Sequence, residues 1–409
     1  MHRKKIINDP IYGFISIKTD LISQIVQHPY FQRLRRIKQL GLTDFVYPGA
    51  LHTRFHHALG AMHLMSIALD ALKNKGHKIS KKEHEAAMAA ILLHDIGHGP
   101  FSHALENTIL TGAHHEHLSL LFMEKLNREF DGQLELAIQM FCNRYERAFF
   151  HQLISSQLDM DRLDYLQRDC FFTGVVEGKV AADRLIRMLN IHEDQIVVEE
   201  KGIYSIENFL TARRLMYWQV YLHKTTVSTE QMLIKIIQRA RKLLQSGQEV
   251  FASPSLKTFL EKDIRIEDFH QNPMYIDAFS RLDDFDIWAG IKLWASHPDS
   301  LLRLLSNMLL DRKLFRVLLS NTPHPTEAIS STIRKIQTYF QIDKEAAHFL
   351  CGHGKITNAA YVANNQNIMI QTKKGELLDA SQASDLPNIE ALSKIVKKYY
   401  LCFPKVVSL

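Results

Sequence analysis

The stretch His84-Glu85-Ala86-Ala87-Met88-Ala89-Ala90-Ile91-Leu92-Leu93-His94 constrains the fold more than any other part of the chain. It is built from helix formers and is apolar nearly all round from Ala86 to Leu93. That pattern predicts a helix buried on every side. Gly97, Gly99 and Pro100 then end it abruptly. An imidazole and a carboxylate on adjacent residues, His94 and Asp95, cannot face the same way along a regular helix. Where the chain unwinds through two glycines, both can turn inwards onto one cation. Such a pair suits a borderline or hard divalent metal.

Histidine usage points to the same region. Of 22 histidines, twelve fall between His52 and His117, and histidine is the commonest metal ligand. Upstream, Arg54-Phe55-His56-His57 offers a ring on a separate element. Downstream, Leu158-Asp159-Met160-Asp161-Arg162-Leu163-Asp164-Tyr165 sets several acids in an apolar helix, with Asp164 one turn after Asp161. Buried carboxylates are costly unless paired or metal-bound. His98, one turn beyond His94, is close enough to join the site without ligating.

The rest of the chain reads mainly as helix. Leu21–Leu40 carries a helical stripe interrupted near Pro29, and further helices are expected over His117–Glu129, His151–Asp169, Glu207–Lys224 and Thr229–Leu244. Strand signals are few: Phe14–Ile17, a hairpin of Gln195–Glu199 with Ile203–Ile206, and another of Ile368–Gln371 with Glu376–Leu378. The expected fold class is mainly α: a helical core with small β-hairpins and a mixed, mostly helical C-terminal lobe. Residues 1–50 form an N-terminal segment, 51–225 the core, and 226–409 the lobe packed on it.

Composition removes several classes. No run approaches eighteen apolar residues; the richest, Leu301–Leu319, is broken by Arg303, Asp311 and Arg312, so no membrane span is expected. Asp9 and Pro10 stand where a secretory signal would have its apolar core. The four cysteines contain no Cys-x-x-Cys pair, which argues against a disulfide framework or thiolate zinc and fits a reducing cytoplasm. The net charge of +6 is spread without a basic tail, so nucleic-acid binding is not favoured.

His57, His94-Asp95 and Asp161 follow the H…HD…D order of the HD superfamily, and the chain resembles its deoxynucleoside triphosphate triphosphohydrolases. The matching stretches are Asn8–Gly13, Phe31–Gly41, Arg54–Gly60, His94–His103, Asp159–Cys170 and Tyr221–Lys224, with a looser match at Tyr399–Pro404. They resemble the branch whose mammalian member carries a SAM domain, which is not expected here. The resemblance implies an HD-domain core and a phosphohydrolase that releases deoxynucleoside and inorganic triphosphate. It implies one divalent ion (Fe, Mn, Zn, Ni or Mg) on His57, His94, Asp95 and Asp161, with additional Mg on the triphosphate.

The same resemblance assigns proton delivery to His103, oriented by Glu106 where many relatives have Asp, and triphosphate contacts to His98 and His115. It places Arg54, Arg162, Arg213 and Lys224 around the phosphates, and Tyr165 with Tyr221 at the sugar. Asp169 would take the 3′-hydroxyl, Gln39 and Leu40 lie near sugar and base, and Tyr217 stands where a base-side histidine is usual. Dimers or tetramers with a nucleotide activator are implied too, at Lys5, Asn8, Asp9 and Arg35, although Gln27 replaces the acid that reads guanine. The competing expectations are another HD reaction, on a nucleoside monophosphate or a cyclic or alarmone nucleotide, and a nucleotide- or nucleic-acid-binding regulator.

Overall fold

The computed structural model describes residues 5–110, 112, 114–358, 367–384 and 396–407, without the side chains of His103, Asn107 and Asn358. Its central helix is Lys81–Leu93, in which every residue from Ala86 to Leu93 is buried. A capping box starts it: the Ser80 hydroxyl accepts from Glu83 N, and the Glu83 carboxylate accepts from Ser80 N at 2.7 Å. The 21-residue helix Arg54–Asn74 packs on one side and Glu135–Phe141 on another. Met160–Thr173 lies across Arg54–Asn74, so His57 and Asp161 approach each other through helix packing alone.

The turn after Leu93 is clamped from three directions. Ser119 Oγ donates to His94 O at 2.6 Å and accepts from Gly97 N at 3.0 Å, fastening the turn to helix His115–Glu129. A Cβ on Gly97 would lie 2.3 Å from both His115 O and Ser119 N, so only glycine permits that approach. The wholly buried Arg33 donates to Ile96 O at 2.7 Å. Beyond Pro100, Phe101 adopts a left-handed conformation (φ 47°), and its N–H is received by Asp284 from the C-terminal lobe at 3.1 Å. Asp284 also receives Lys38 N at 2.8 Å.

Three small sheets complete the fold. Lys5–Asp9 pairs antiparallel with Gly13–Ile17. Phe315–Ser320 and Gly352–Asn358 flank Val396–Pro404, all antiparallel. In the third, Gln195–Glu199 runs parallel to Met369–Gln371, so one sheet takes strands from both sides of residue 225. Met369–Gln371 then pairs with Leu377–Asp379, as its turn signal suggests.

Three expectations are corrected. Gln195–Glu199 pairs with Leu189–His192, not with Ile203–Ile206, which begins helix Ile203–Met216. The cause is the Glu193-Asp194 turn, where both residues have positive φ (47° and 57°), the geometry a two-residue hairpin favours. The span His151–Asp169 is two helices, Phe149–Ile154 and Met160–Thr173. Asp159 caps the second, accepting from Arg162 N and Ser156 N at 2.7 Å each. The span Glu207–Lys224 likewise ends in a π-helical turn at Tyr217–Tyr221 before helix Lys224–Gln245. No helix among the described residues is long and apolar enough to cross a membrane.

Candidate metal centre

His57 sits in the first turn of Arg54–Asn74 with its ring wholly buried. Its Nδ1 is 2.8 Å from Asp164 Oδ2, on the neighbouring helix. Arg168, one turn beyond Asp164, grips both oxygens of that carboxylate at 2.9 Å and also donates to Asp9 at 2.8 Å. The approach of the two helices depends on Gly60, where a Cβ would fall 1.9 Å from Asp164 Oδ1. With Nδ1 occupied, Nε2 is turned towards Asp161 Oδ1 (3.1 Å) and Asp95 Oδ2 (3.7 Å).

His94 repeats the arrangement. Its Nδ1 donates to Ile91 O at 2.6 Å, and its Nε2 faces Asp95 Oδ1 (3.3 Å) and Asp161 Oδ1 (3.5 Å). The ligand atoms of His57, His94 and Asp161 lie within 4.8 Å of one another. Both Nε2 atoms are buried without a hydrogen-bond partner. Buried polar atoms are nearly always satisfied, and orphaned ring nitrogens converging on carboxylates are what a cation would complete. The residues fit a divalent metal.

The electrostatics agree. Burial opposes charging His57, but the carboxylates of Asp161 and Asp164 beside the ring prevail and hold its pKa up at about 10. Burial likewise opposes ionising Asp161, yet His57 and His94 keep it well below the usual carboxylate range. Protons on the rings supply the positive charge that the carboxylates demand, and coordination would release them.

A second group adjoins the first. Asp95 gives Oδ2 to Arg54 at 2.6 Å and sets Oδ1 3.2 Å from His98 Nε2. The His98 ring stacks on His115 at 3.9 Å, and Glu106 receives both His115 Nδ1 (3.0 Å) and His115 N (2.7 Å). Glu106 thereby orients His115, a contact permitted by Gly97, which lets the start of His115–Glu129 close onto the turn. The His103 side chain, expected in a dyad with Glu106, lies outside the described residues.

On the open side of Asp161, Arg162 is salt-bridged to Asp159 and stands 3.9 Å from Asp161. The buried Arg213 donates to Gln157 at 2.9 Å. Tyr165 and Tyr217 each pack edge-on to Tyr221, at 6.2 Å and 5.2 Å. Asp169 receives Tyr221 OH and His52 Nε2, both at 2.7 Å. Gln39 is buried with Oε1 lacking a partner, and with Leu40 and Arg54 it lines a cleft. Lys224 is exposed at its helix start. Of the activator candidates, Lys5 and Gln27 line one surface cleft and Arg35 lies 3.6 Å over the Phe55 ring. Asp9 is corrected to a structural role, because it is buried against Arg168 and caps Ile11 N and Tyr12 N.

Sequence reasoning passed over Arg168, His52 and Gly60. Arg168 had a signal, its i,i+4 spacing from Asp164; His52 and Gly60 are seen only once the helices are packed.

A buried His/Asp cage at the end of an enclosed helix, with cationic and aromatic side chains beside it, defines a metal-binding hydrolase core. The chain belongs to the HD-domain phosphohydrolase family. Its residues 54–169 match the HD domain and 180–254 the HD associated region. A phosphohydrolase from Bacteroides thetaiotaomicron superposes with a TM-score of 0.95 at 52% identity, covering 98% of this chain and 100% of that one. YwfO of Bacillus subtilis is 30% identical over 86% of this chain and 79% of its own length. The human deoxynucleoside triphosphate triphosphohydrolase SAMHD1 is 29% identical over 54% of this chain and 42% of its own.

Proposed function

We propose that this protein hydrolyses deoxynucleoside triphosphates at the α-phosphorus, giving deoxynucleoside and inorganic triphosphate. The observation that carries the reading is the order of side chains along helix Met160–Thr173. Asp161 faces the metal cage, Arg162 follows it, Tyr165 comes one turn later and Asp169 a further turn on. Phosphate, sugar ring and 3′-hydroxyl occur in that order along a nucleotide.

One divalent ion on His57, His94, Asp95 and Asp161, when bound, supplies polarisation of a phosphate oxygen and acidification of a water. The chain does the rest. Arg162 and Arg213 bring fixed positive charge to the triphosphate. Tyr165 and Tyr221 flank the sugar and leave no room for a 2′-hydroxyl, so ribose is rejected sterically. Asp169, held by Tyr221 and His52, accepts from the 3′-hydroxyl. His103 carries proton delivery to the leaving 5′-oxygen by resemblance. The dNTP triphosphohydrolase relatives support this substrate class. A homo-oligomer acting in the cytoplasm belongs to the same reading.

The test is a panel of dNTPs and NTPs, singly and mixed, with several metals, resolved by ion exchange. Deoxynucleoside and triphosphate in equal amounts are expected, with ribonucleotides turned over far more slowly. Orthophosphate alone, or turnover restricted to monophosphates or cyclic nucleotides, would reassign the reaction.

A further inference from the structure

The cleft that runs out from the metal centre has two walls, and one buried carboxylate joins them from behind. Residues 38–42 form one wall, and Phe101, Ser102 and Ala104 belong to the other. Arg54, which also lines the cleft, holds Asp95 Oδ2 at 2.6 Å and marks the metal end. Asp284, only 4% exposed, accepts Lys38 N on Oδ2 at 2.8 Å and Phe101 N on Oδ1 at 3.1 Å. Each oxygen serves one wall. A carboxyl group suits this task because both its oxygens accept, whereas an amide offers one acceptor and turns donors towards the other N–H.

The two residues before Asp284 tighten the same join. Leu282 O accepts from Arg33 Nη1 at 3.1 Å, and Arg33 Nη2 donates at 2.7 Å to Ile96 O, in the turn that follows His94-Asp95. Asp283 is salt-bridged to Arg36. Leu282, Asp283 and Asp284 are all buried. Three consecutive residues of the C-terminal lobe thus hold residues 33–38 on one side and 96–101 on the other. Phe101 needs such a hold, since its left-handed φ of 47° is strained for a residue with a Cβ. Helix Ser102–Ile109, with His103 and Glu106, starts directly after it.

We propose that Asp284 is a positioning residue for the reaction: it fixes the separation of the two cleft walls, and with it the seating of helix Ser102–Ile109 over the substrate. It acts through the backbone of Lys38 and Phe101. The catalytic part of the inference rests on the proposed triphosphohydrolase reaction; the coupling of the walls does not.

The experiment compares the wild type with D284A, D284N and D299N. Asp299 accepts from Arg239 at 3.1 Å, and neither residue lines the cleft, so D299N lowers stability without touching the join. Hydrogen–deuterium exchange of the Mn²⁺-loaded proteins is read over residues 38–42 and 101–104. Turnover of dNTPs is measured at temperatures equally far below each Tm. D284A should exchange faster in both stretches, with Mn²⁺ affinity unchanged in a chelator competition. Its kcat should fall about 10²-fold, the loss that a displacement of about 1 Å can cause. D284N, with a single acceptor, should fall between D284A and the wild type, and D299N should match the wild type in exchange, affinity and kcat. Exchange in D284A no faster than in D299N overturns the join. An unchanged kcat once the walls are released, or a loss that follows weaker Mn²⁺ binding, overturns the positioning role. If the wild type turns over no dNTP, the triphosphohydrolase reading fails, and the exchange result still decides whether Asp284 couples the walls.

Discussion

His57 and Asp164 stand 107 positions apart in the chain and share a hydrogen bond of 2.8 Å in the buried layer beneath the metal-facing residues. The bond fixes which nitrogen of His57 faces the cage. Asp164 in turn is held at both oxygens by Arg168, so the ring cannot rotate without breaking a buried ion pair.

Replacing Asp164 by Asn keeps the shape and removes the charge. Outer-layer partners of metal-bound histidines are typically worth about 10–100-fold in metal affinity. D164N should therefore bind Mn²⁺ or Fe²⁺ about that much more weakly in a chelator competition, while far-UV circular dichroism stays unchanged. Unaltered affinity would show that Asp164 does not orient His57.

Gly60 is predicted to be intolerant of even a methyl group. A Cβ there would sit 1.9 Å from Asp164 Oδ1 and 2.2 Å from an Arg168 nitrogen. Breaking a buried ion pair costs about 3–5 kcal/mol, so G60A should unfold at clearly lower denaturant concentration and load less metal. A variant as stable as the parent would mean that the two helices can separate without penalty.

Much of the cage was legible because its ligands fall at punctuation points: His94-Asp95 at the abrupt end of an all-apolar helix, Asp161 in a helix whose other acids had to be explained. The central helix itself followed from composition. What could not be read was anything set by helix-to-helix approach. Glu106 meets His115 because Gly97 admits the backbone of a later helix, and no spacing within either segment encodes that contact. The partner of Gln195–Glu199 is hidden for a local reason: Lys201-Gly202 is the stronger turn signature in the sequence, whereas Glu193 and Asp194 adopt positive φ only with strand pairing to support it.

Gly97 gives a sharper catalytic test. G97A would drive the start of helix His115–Glu129 away from the turn, taking His115 from its place beside His98. A displacement of about 1 Å at a reacting centre can cost about 10²-fold in rate. The expected result is a comparable fall in kcat with metal still bound at His57, His94 and Asp161. Full activity would show that His115 has no part in turnover.

Asp284 should make stability depend on pH. Burial raises its pKa to about 7, against the opposing hydrogen bonds from Lys38 N and Phe101 N. The folded state thus holds a proton that the unfolded chain, with a carboxyl near about 3.9, releases earlier. This contribution is complete below about pH 4 and is lost as pH rises through about 7, a change of at most about 4 kcal/mol. D284N cannot titrate and its amide nitrogen cannot accept the backbone N–H that one Asp284 oxygen receives, so its Tm should lie below that of the wild type near pH 4, and the gap should narrow as pH rises to 8. A gap of constant size across that range would place the ionisation elsewhere.

The central claim is that one ion is held by His57, His94, Asp95 and Asp161, and crystallography at a metal absorption edge tests it directly. Crystals of the metal-loaded protein should show a single strong anomalous peak about 2.0–2.2 Å from His57 Nε2, His94 Nε2 and oxygens of Asp95 and Asp161, and D161A crystals should lose it. An anomalous peak bound by other residues, or one unchanged in D161A, would contradict the account.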